Sequence, residues 1–228
     1  QHSFAYNLLA LVPDFWRCNL LLWRDKLGQI SLASTTLFWG ASGNLRYIVL
    51  AWSAVALGYT TTQASALVGV IAIGTAVGAV VASMRMKLVD APRLMNLGIT
   101  MGLLMLVMNF IDNVWLAAPF FILLGGLGGF LVVPMNALLQ HRGHNLMGAG
   151  RSIAVQNFNE QACILALGAL YALATGLGLS AFGAIVGFAL LLAGCMWLIK
   201  RWHQSNLVHH PEEVARLLDI ARRDPGHS

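Results

Sequence analysis

Six long apolar runs separated by short polar connections dominate the chain. They fall at about 31–57, 64–86, 92–110, 114–138, 149–175 and 179–199. Each is long enough to predict a bilayer-crossing helix, which needs about 20 apolar residues; a membrane strand needs only about 9–11. A helix also satisfies its own backbone donors and acceptors, as hydrocarbon demands. The connections are TTTQ at 60–63, MRMKLVDAP at 84–92, IDN at 111–113, HRGHN at 141–145 and GLGLS at 176–180. The expected fold class is therefore an all-α membrane protein with six transmembrane helices.

The ends differ from this middle. In residues 1–30, Phe15, Trp16, Leu20 and Trp23 alternate with Asp14, Arg17, Arg24, Asp25 and Lys26. This pattern predicts a cytoplasmic linker holding an amphipathic helix in the membrane interface, with Trp at headgroup depth. Residues 31–202 form the six-helix bundle. Residues 203–228 form a cytoplasmic tail with a short helix: Pro211 suits its first turn, Glu212 and Glu213 its positive end, and Arg222 and Arg223 its negative end. Val214, Leu217, Leu218 and Ala221 give that helix one apolar stripe. The chain opens at Gln1 without Met and shows no signal peptide, so it reads as a piece of a longer product.

Composition reinforces the pattern. Hydrophobic residues make up 58% of the 228 and charged residues 10%, and the mean hydropathy is +0.71. Soluble domains carry about 25% charged residues, so a soluble enzyme or a disordered chain is a poor fit. The net charge of +5 reflects scarce acids rather than a dense basic patch, which argues against nucleic acid as a partner. The placement of the basic residues is more telling. Arg85, Lys87, Arg93, Arg142, Arg151, Lys200 and Arg201 flank the second and fourth connections and the end of the last run. The first, third and fifth connections have no Lys or Arg. By the positive-inside rule, both ends and the even connections face the cytoplasm. Of the 14 basic residues, 13 fall on that side; only Arg46 does not, and it sits inside a span.

Arg46 and Glu160 therefore stand out as charges placed deep in predicted spans, where burial costs about 2.5–3.5 kcal/mol even on lenient scales. Such a residue faces a partner, a bundle interior or a wet cavity. Ser152, Gln156, Asn159 and Glu160 form a polar stripe on the fifth span, bordered by Asn157 and Gln161, and a stripe of this kind can line a cavity. Asn136 and Gln140 are four apart on the fourth span, and Asn44 neighbours Arg46. A guanidinium offers paired donors and a permanent charge, which suits a phosphate. Glu160 can receive an ammonium, a sodium ion or a proton, or the two charges can neutralise each other. Gly74 and Gly78, like Gly125 and Gly129, are spaced four apart, as small residues are where membrane helices pack closely.

Other signals lead nowhere. GLGLSA at 176–181 fits a loose dinucleotide fingerprint but follows a membrane helix instead of a strand. His141 and His144, or His209 and His210, are too few to suggest a metal site. Cys18, Cys163 and Cys195 have no close spacing and read as small buried hydrophobes. No nucleophile–base pair, metal set or cofactor motif is present, so the chain is not expected to be an enzyme or to need a cofactor.

Two stretches, TLFWGASGNLRYIVLAW at 36–52 and VVPMNALLQHRGHNLMGAGRSIAVQNFNEQ at 132–161, resemble the lysophospholipid transporter family of the major facilitator superfamily. The resemblance runs from about residue 29 to about 202. It implies that the six helices are that fold's spans seven to twelve, its C-terminal half, preceded by the central linker. It also implies a multi-pass protein of the bacterial inner membrane that moves lysophosphatidylethanolamine and lysophosphatidylglycerol to the cytoplasmic leaflet, where an acyltransferase partner restores the second chain. Arg46 and Glu160 match charged cavity positions in the family. Asn44, Gln156, Asn157 and Asn159 lie in the matching motifs as further substrate-binding candidates. On this reading Arg46 holds the phosphate, and Glu160 pairs with Arg46 in the empty state or receives the amine or a coupling cation.

The first six-helix half is absent from the chain. Transporters of this kind bind substrate between two halves that rock around it, so this chain would need the missing half as a partner. Two other readings remain open: a different major-facilitator carrier, such as a drug/proton antiporter, and a membrane scaffold that docks the acyltransferase.

Overall fold

The computed structural model describes residues 2–223, with side chains from Leu9 onward; Gln1 and the last residues of the tail, 224–228, lie outside the described residues. The described residues form α1 (His2–Arg24), α2 (Gly28–Ala56), α3 (Thr61–Arg85), α4 (Met95–Leu104), α5 (Val114–Met147), α6 (Ala149–Gly176), α7 (Ala181–His209) and α8 (Pro211–Arg222). Short 3-10 segments, Leu88–Leu94 and Met105–Phe110, flank α4 and complete the third apolar run as one irregular rod. Each apolar run thus holds a long helical segment. By length and composition, four of these can cross a membrane: α3, the rod at 88–110, α5 and α7. With α2 at 29 residues and α6 at 28, length is not what sets these two apart. They are diluted by Asn44, Arg46 and the Gln156–Gln161 cluster.

Local chemistry sets the helix starts. Thr60 caps α3 in a reciprocal box with Gln63. Asn113 accepts from the Trp115 N–H at 2.9 Å to open α5, and Ser180 accepts from the Gly183 N–H at 3.1 Å to open α7. α5 and α6 are separated by one residue, Gly148, at φ 86°, in the left-handed region that glycine enters without a Cβ penalty.

The glycine pairs meet each other. A Cβ on Gly78 would fall on the Gly126 carbonyl, one on Gly74 on the Ile122 carbonyl, and one on Gly129 on the Thr75 carbonyl. α3 and α5 therefore pack backbone to backbone. The main core lies between α2, the rod, α5 and α7. Its largest member, Trp52, packs edge-on against Phe121 at 5.5 Å and donates its indole N–H to the Met108 carbonyl at 3.0 Å. That carbonyl belongs to the 3-10 end of the rod.

A second, smaller core fastens α1. Cys18 and Leu22 pack against Leu32, Leu139 and Val155 of α2, α5 and α6. Phe15 meets Phe158 edge-on at 5.2 Å, and Trp23 stacks on Trp202 at 6.4 Å. The apolar face expected from the sequence is thus divided. Phe15 and Trp23 turn towards the bundle, while Trp16 is exposed with Leu9 and Val12.

Two expectations about connections need correction. α5 runs through HRGHN to Met147, so this stretch is helix and not loop. His141 and Arg142 within it are buried. The cause is Asp25, in the turn between α1 and α2. It receives Arg142 Nε at 2.9 Å and Nη2 at 2.7 Å, and also the Gly28 N–H at 2.8 Å that opens α2. The last helix runs past its apolar run to His209, and α8 follows with Val214, Leu217 and Ala221 buried against the bundle.

Candidate functional site

α2 and α6 carry all six candidate residues, and they lie side by side. Leu32 joins Val155 in one small core, and a Cβ on Gly40 would meet Cys163 and one on Gly43 would meet Ile164. Rising residue numbers on one helix match rising numbers on the other, so the two run parallel. Asn44 locks the seam. It is buried, and its Nδ2 donates to the Gly40 carbonyl at 2.9 Å and to the Ile164 carbonyl at 3.1 Å.

Arg46 lies one turn beyond Gly43 on α2 and is exposed. Among the described residues, no hydrogen bond or ion pair joins it to another side chain. Glu160 lies one turn before Ile164. From the contacts at Gly43 and Asn44, the two charges sit about seven to ten residues apart in register, roughly 10–15 Å along the axes. The structure does not bring them together as an ion pair.

Glu160 belongs to a polar group of its own. Its Oε1 accepts from Gln156 Nε2 at 3.0 Å, and the same amide reaches Asn136 Oδ1 on α5 at 3.3 Å. Asn136 was visible in the sequence as a polar residue within a span, but nothing in the sequence placed it against Gln156. Asn157 is exposed. Asn159 turns the other way. It donates to Asn19 Oδ1 and to the Val155 carbonyl, both at 2.8 Å, and accepts from Trp23 Nε1 at 3.2 Å. It fastens α1. Ser152 is buried in the space opposite Gly143. The expected stripe is therefore split by rotation around α6: Gln156 and Glu160 form one set, while Ser152 and Asn159 are used for packing.

α6 is the least covered helix of the bundle. Of its 28 residues only Ser152 and Val155 are buried, and Leu165, Leu170 and Leu173 stand exposed beside Asn157 and Gln161. The site is thus an open face with one free guanidinium and one carboxylate held by an amide. No group of His, Cys, Asp and Glu among the described residues could hold a metal ion.

Membrane-length apolar helices with such a face define a multi-pass helical membrane protein. Its curated relatives make the class narrower. The chain is 37% identical over 203 residues to the lysophospholipid transporter LplT of Escherichia coli O1:K1, covering 87% of this chain and 51% of that protein. It is also 37% identical over 201 residues to LplT of Salmonella arizonae, covering 86% of this chain and 50% of that one. The chain is therefore a relative of these lysophospholipid transporters across nearly its whole length, and the resemblance carried by residues 36–52 and 132–161 is borne out. It spans about half the length of the curated relatives it matches. No family model matches the chain. No solved structure matches it.

Proposed function

We propose that this chain is the C-terminal six-helix half of a lysophospholipid transporter of the major facilitator fold, set in a bacterial inner membrane with both ends cytoplasmic. The observation that carries the proposal is that Arg46 is exposed on α2 with no ion-pair partner among the described residues. A charge left in a membrane-length helix is costly unless it serves a ligand or a wet cavity. Arg46 offers paired donors to the lipid phosphate. Glu160 lies towards the cytoplasmic end of the same seam, where it receives the amine of an ethanolamine headgroup or a coupling cation. Gln156 orients Glu160, and Asn157 borders the path. Asn44 and Asn159 act by holding α2, α6 and α1 in place.

The uncovered length of α6 supports a second half seated on this face. Substrate would bind between the two halves and be carried to the cytoplasmic leaflet by alternating access. An acyltransferase there would restore the second chain. Under this topology α2 and α6 span the membrane with the four more apolar segments, because Arg46, Gln156 and Glu160 face the cavity and not lipid.

The test is leaflet transfer of labelled lysophosphatidylethanolamine in proteoliposomes holding the full-length transporter that contains this chain. Transfer that is lost in Arg46→Ala, with folding intact, supports the reading. Unimpaired transfer in that variant removes Arg46 as the phosphate anchor. No transfer by folded wild-type protein sinks the lipid assignment itself.

A further inference from the structure

A cavity of about 350 Å³ opens between the 3-10 start of the rod, the last turns of α7 and the tail helix α8. Arg93, Lys200 and Arg222 line it from these three elements, with Asn96 and Gln204 between them. Among the described residues, no carboxylate lines it. Arg93 touches Asp90 only loosely, at 3.8 Å, with its own side chain 79% exposed. Asp219 of α8 pairs with Arg223 at 3.0 Å.

The floor gives an independent sign. His203 lines the cavity, is only 8% exposed, and its Nδ1 is buried with no hydrogen-bond partner. A buried polar atom without a partner is rare and calls for a ligand, water or ion. Leu207, Leu218 and Met95 complete the wall with apolar surface.

We propose that this cavity binds one phosphate group, that of an anionic phospholipid headgroup at the cytoplasmic face. Lys200 and Arg222 supply charge from two helices, Arg93 closes the third side, and His203 donates from the floor. Basic pockets between membrane helices at this level suit anionic headgroups, and the leucines beside the cations suit the start of an acyl chain. The tail helix thereby becomes one wall of a lipid site. This site is separate from the Arg46–Glu160 seam, and its test reads lipid retention and not transport, so either proposal can fail without the other.

The test is native mass spectrometry of the full chain titrated with phosphatidylglycerol, beside calorimetric titration with inorganic phosphate. The variants are Lys200→Ala with Arg222→Ala, and His203→Phe, which keeps a ring but removes both nitrogens. Arg17→Ala with Arg24→Ala removes equal charge from α1 as a control. Melting curves check that each variant is folded. We expect the Lys200/Arg222 pair to weaken phosphatidylglycerol retention about tenfold or more, with the α1 pair changing it by less than about twofold. Lipid binding without free-phosphate binding assigns a lipid headgroup, whereas phosphate binding with the same variant dependence and no lipid retention assigns a free phosphate. Equal retention by wild type and the Lys200/Arg222 pair, or an equal loss in the α1 pair, overturns the site.

Discussion

Asp25 and Arg142 lie 117 residues apart in the chain and meet as a two-pronged ion pair whose side chains are 8% and 6% exposed. One carboxylate thereby holds three things: the end of α1, the first turn of α2 and the C-terminal part of α5. Removing one partner of a buried pair leaves an uncompensated charge and costs about 3–5 kcal/mol. Arg142→Ala should therefore lower the melting temperature sharply. Arg142→Lys should recover only part of the loss, since an ammonium cannot make the paired contact. A melt of Arg142→Lys equal to wild type would show that the fork geometry is unimportant.

The α3–α5 contact makes a contrasting pair of predictions. Gly78→Ala drives a methyl into the Gly126 carbonyl, and neither backbone can move alone. Overpacking of this kind costs about 1–3 kcal/mol. Gly69→Ala lies on the same helix with nothing near its new Cβ. It should be neutral or gain up to about 1 kcal/mol from helix propensity. Thermal unfolding of both variants in detergent measures the difference, and equal melts would argue that α3 and α5 do not pack this closely.

Asn44→Leu removes the cross-helix bond to the Ile164 carbonyl while keeping volume. Single interhelical hydrogen bonds in membranes are worth roughly 0.6–1.7 kcal/mol. A loss of that size in unfolding free energy is expected. A neutral result would mean that the seam is held by its apolar contacts alone.

For Glu160 the expected effect concerns selectivity. Glu160→Gln keeps a polar group beside Gln156 but removes the charge. Under the proposed function, transfer of lysophosphatidylethanolamine should fall by about tenfold, one charge-assisted contact, while lysophosphatidylglycerol, which lacks an amine, falls less. Transfer assays with both lipids give the ratio. An unchanged ratio assigns Glu160 to a coupling cation instead of the headgroup.

The helices themselves were legible because apolar runs long enough to cross a bilayer leave little choice of structure. The glycine spacing at Gly74/Gly78 and Gly125/Gly129 also foretold a close contact, though not that the two pairs would meet. What the chain could not reveal is rotation and register. Gln156, Asn159 and Glu160 share an apparent stripe at helical spacing, yet Asn159 bonds to α1 while Gln156, which holds Glu160, bonds to α5, because α6 sits between them. Arg46 and Glu160 look like natural partners in sequence, but parallel packing at Gly43 and Ile164 sets them turns apart. The HRGHN stretch reads as a polar loop until Asp25 arrives from a distant turn to neutralise Arg142. Each miss depends on a group more than a hundred positions away, or on which side of a helix faces its neighbour.

Gly148 has a mechanical consequence. The 34-residue α5 and the 28-residue α6 are joined through this one residue, with the Gly148 N–H still bonded to the His144 carbonyl. There is no slack in such a joint. A tilt of α5 drawn along by α3 has to be answered at once by α6, so the helix bearing Glu160 is geared to the tightest contact in the bundle.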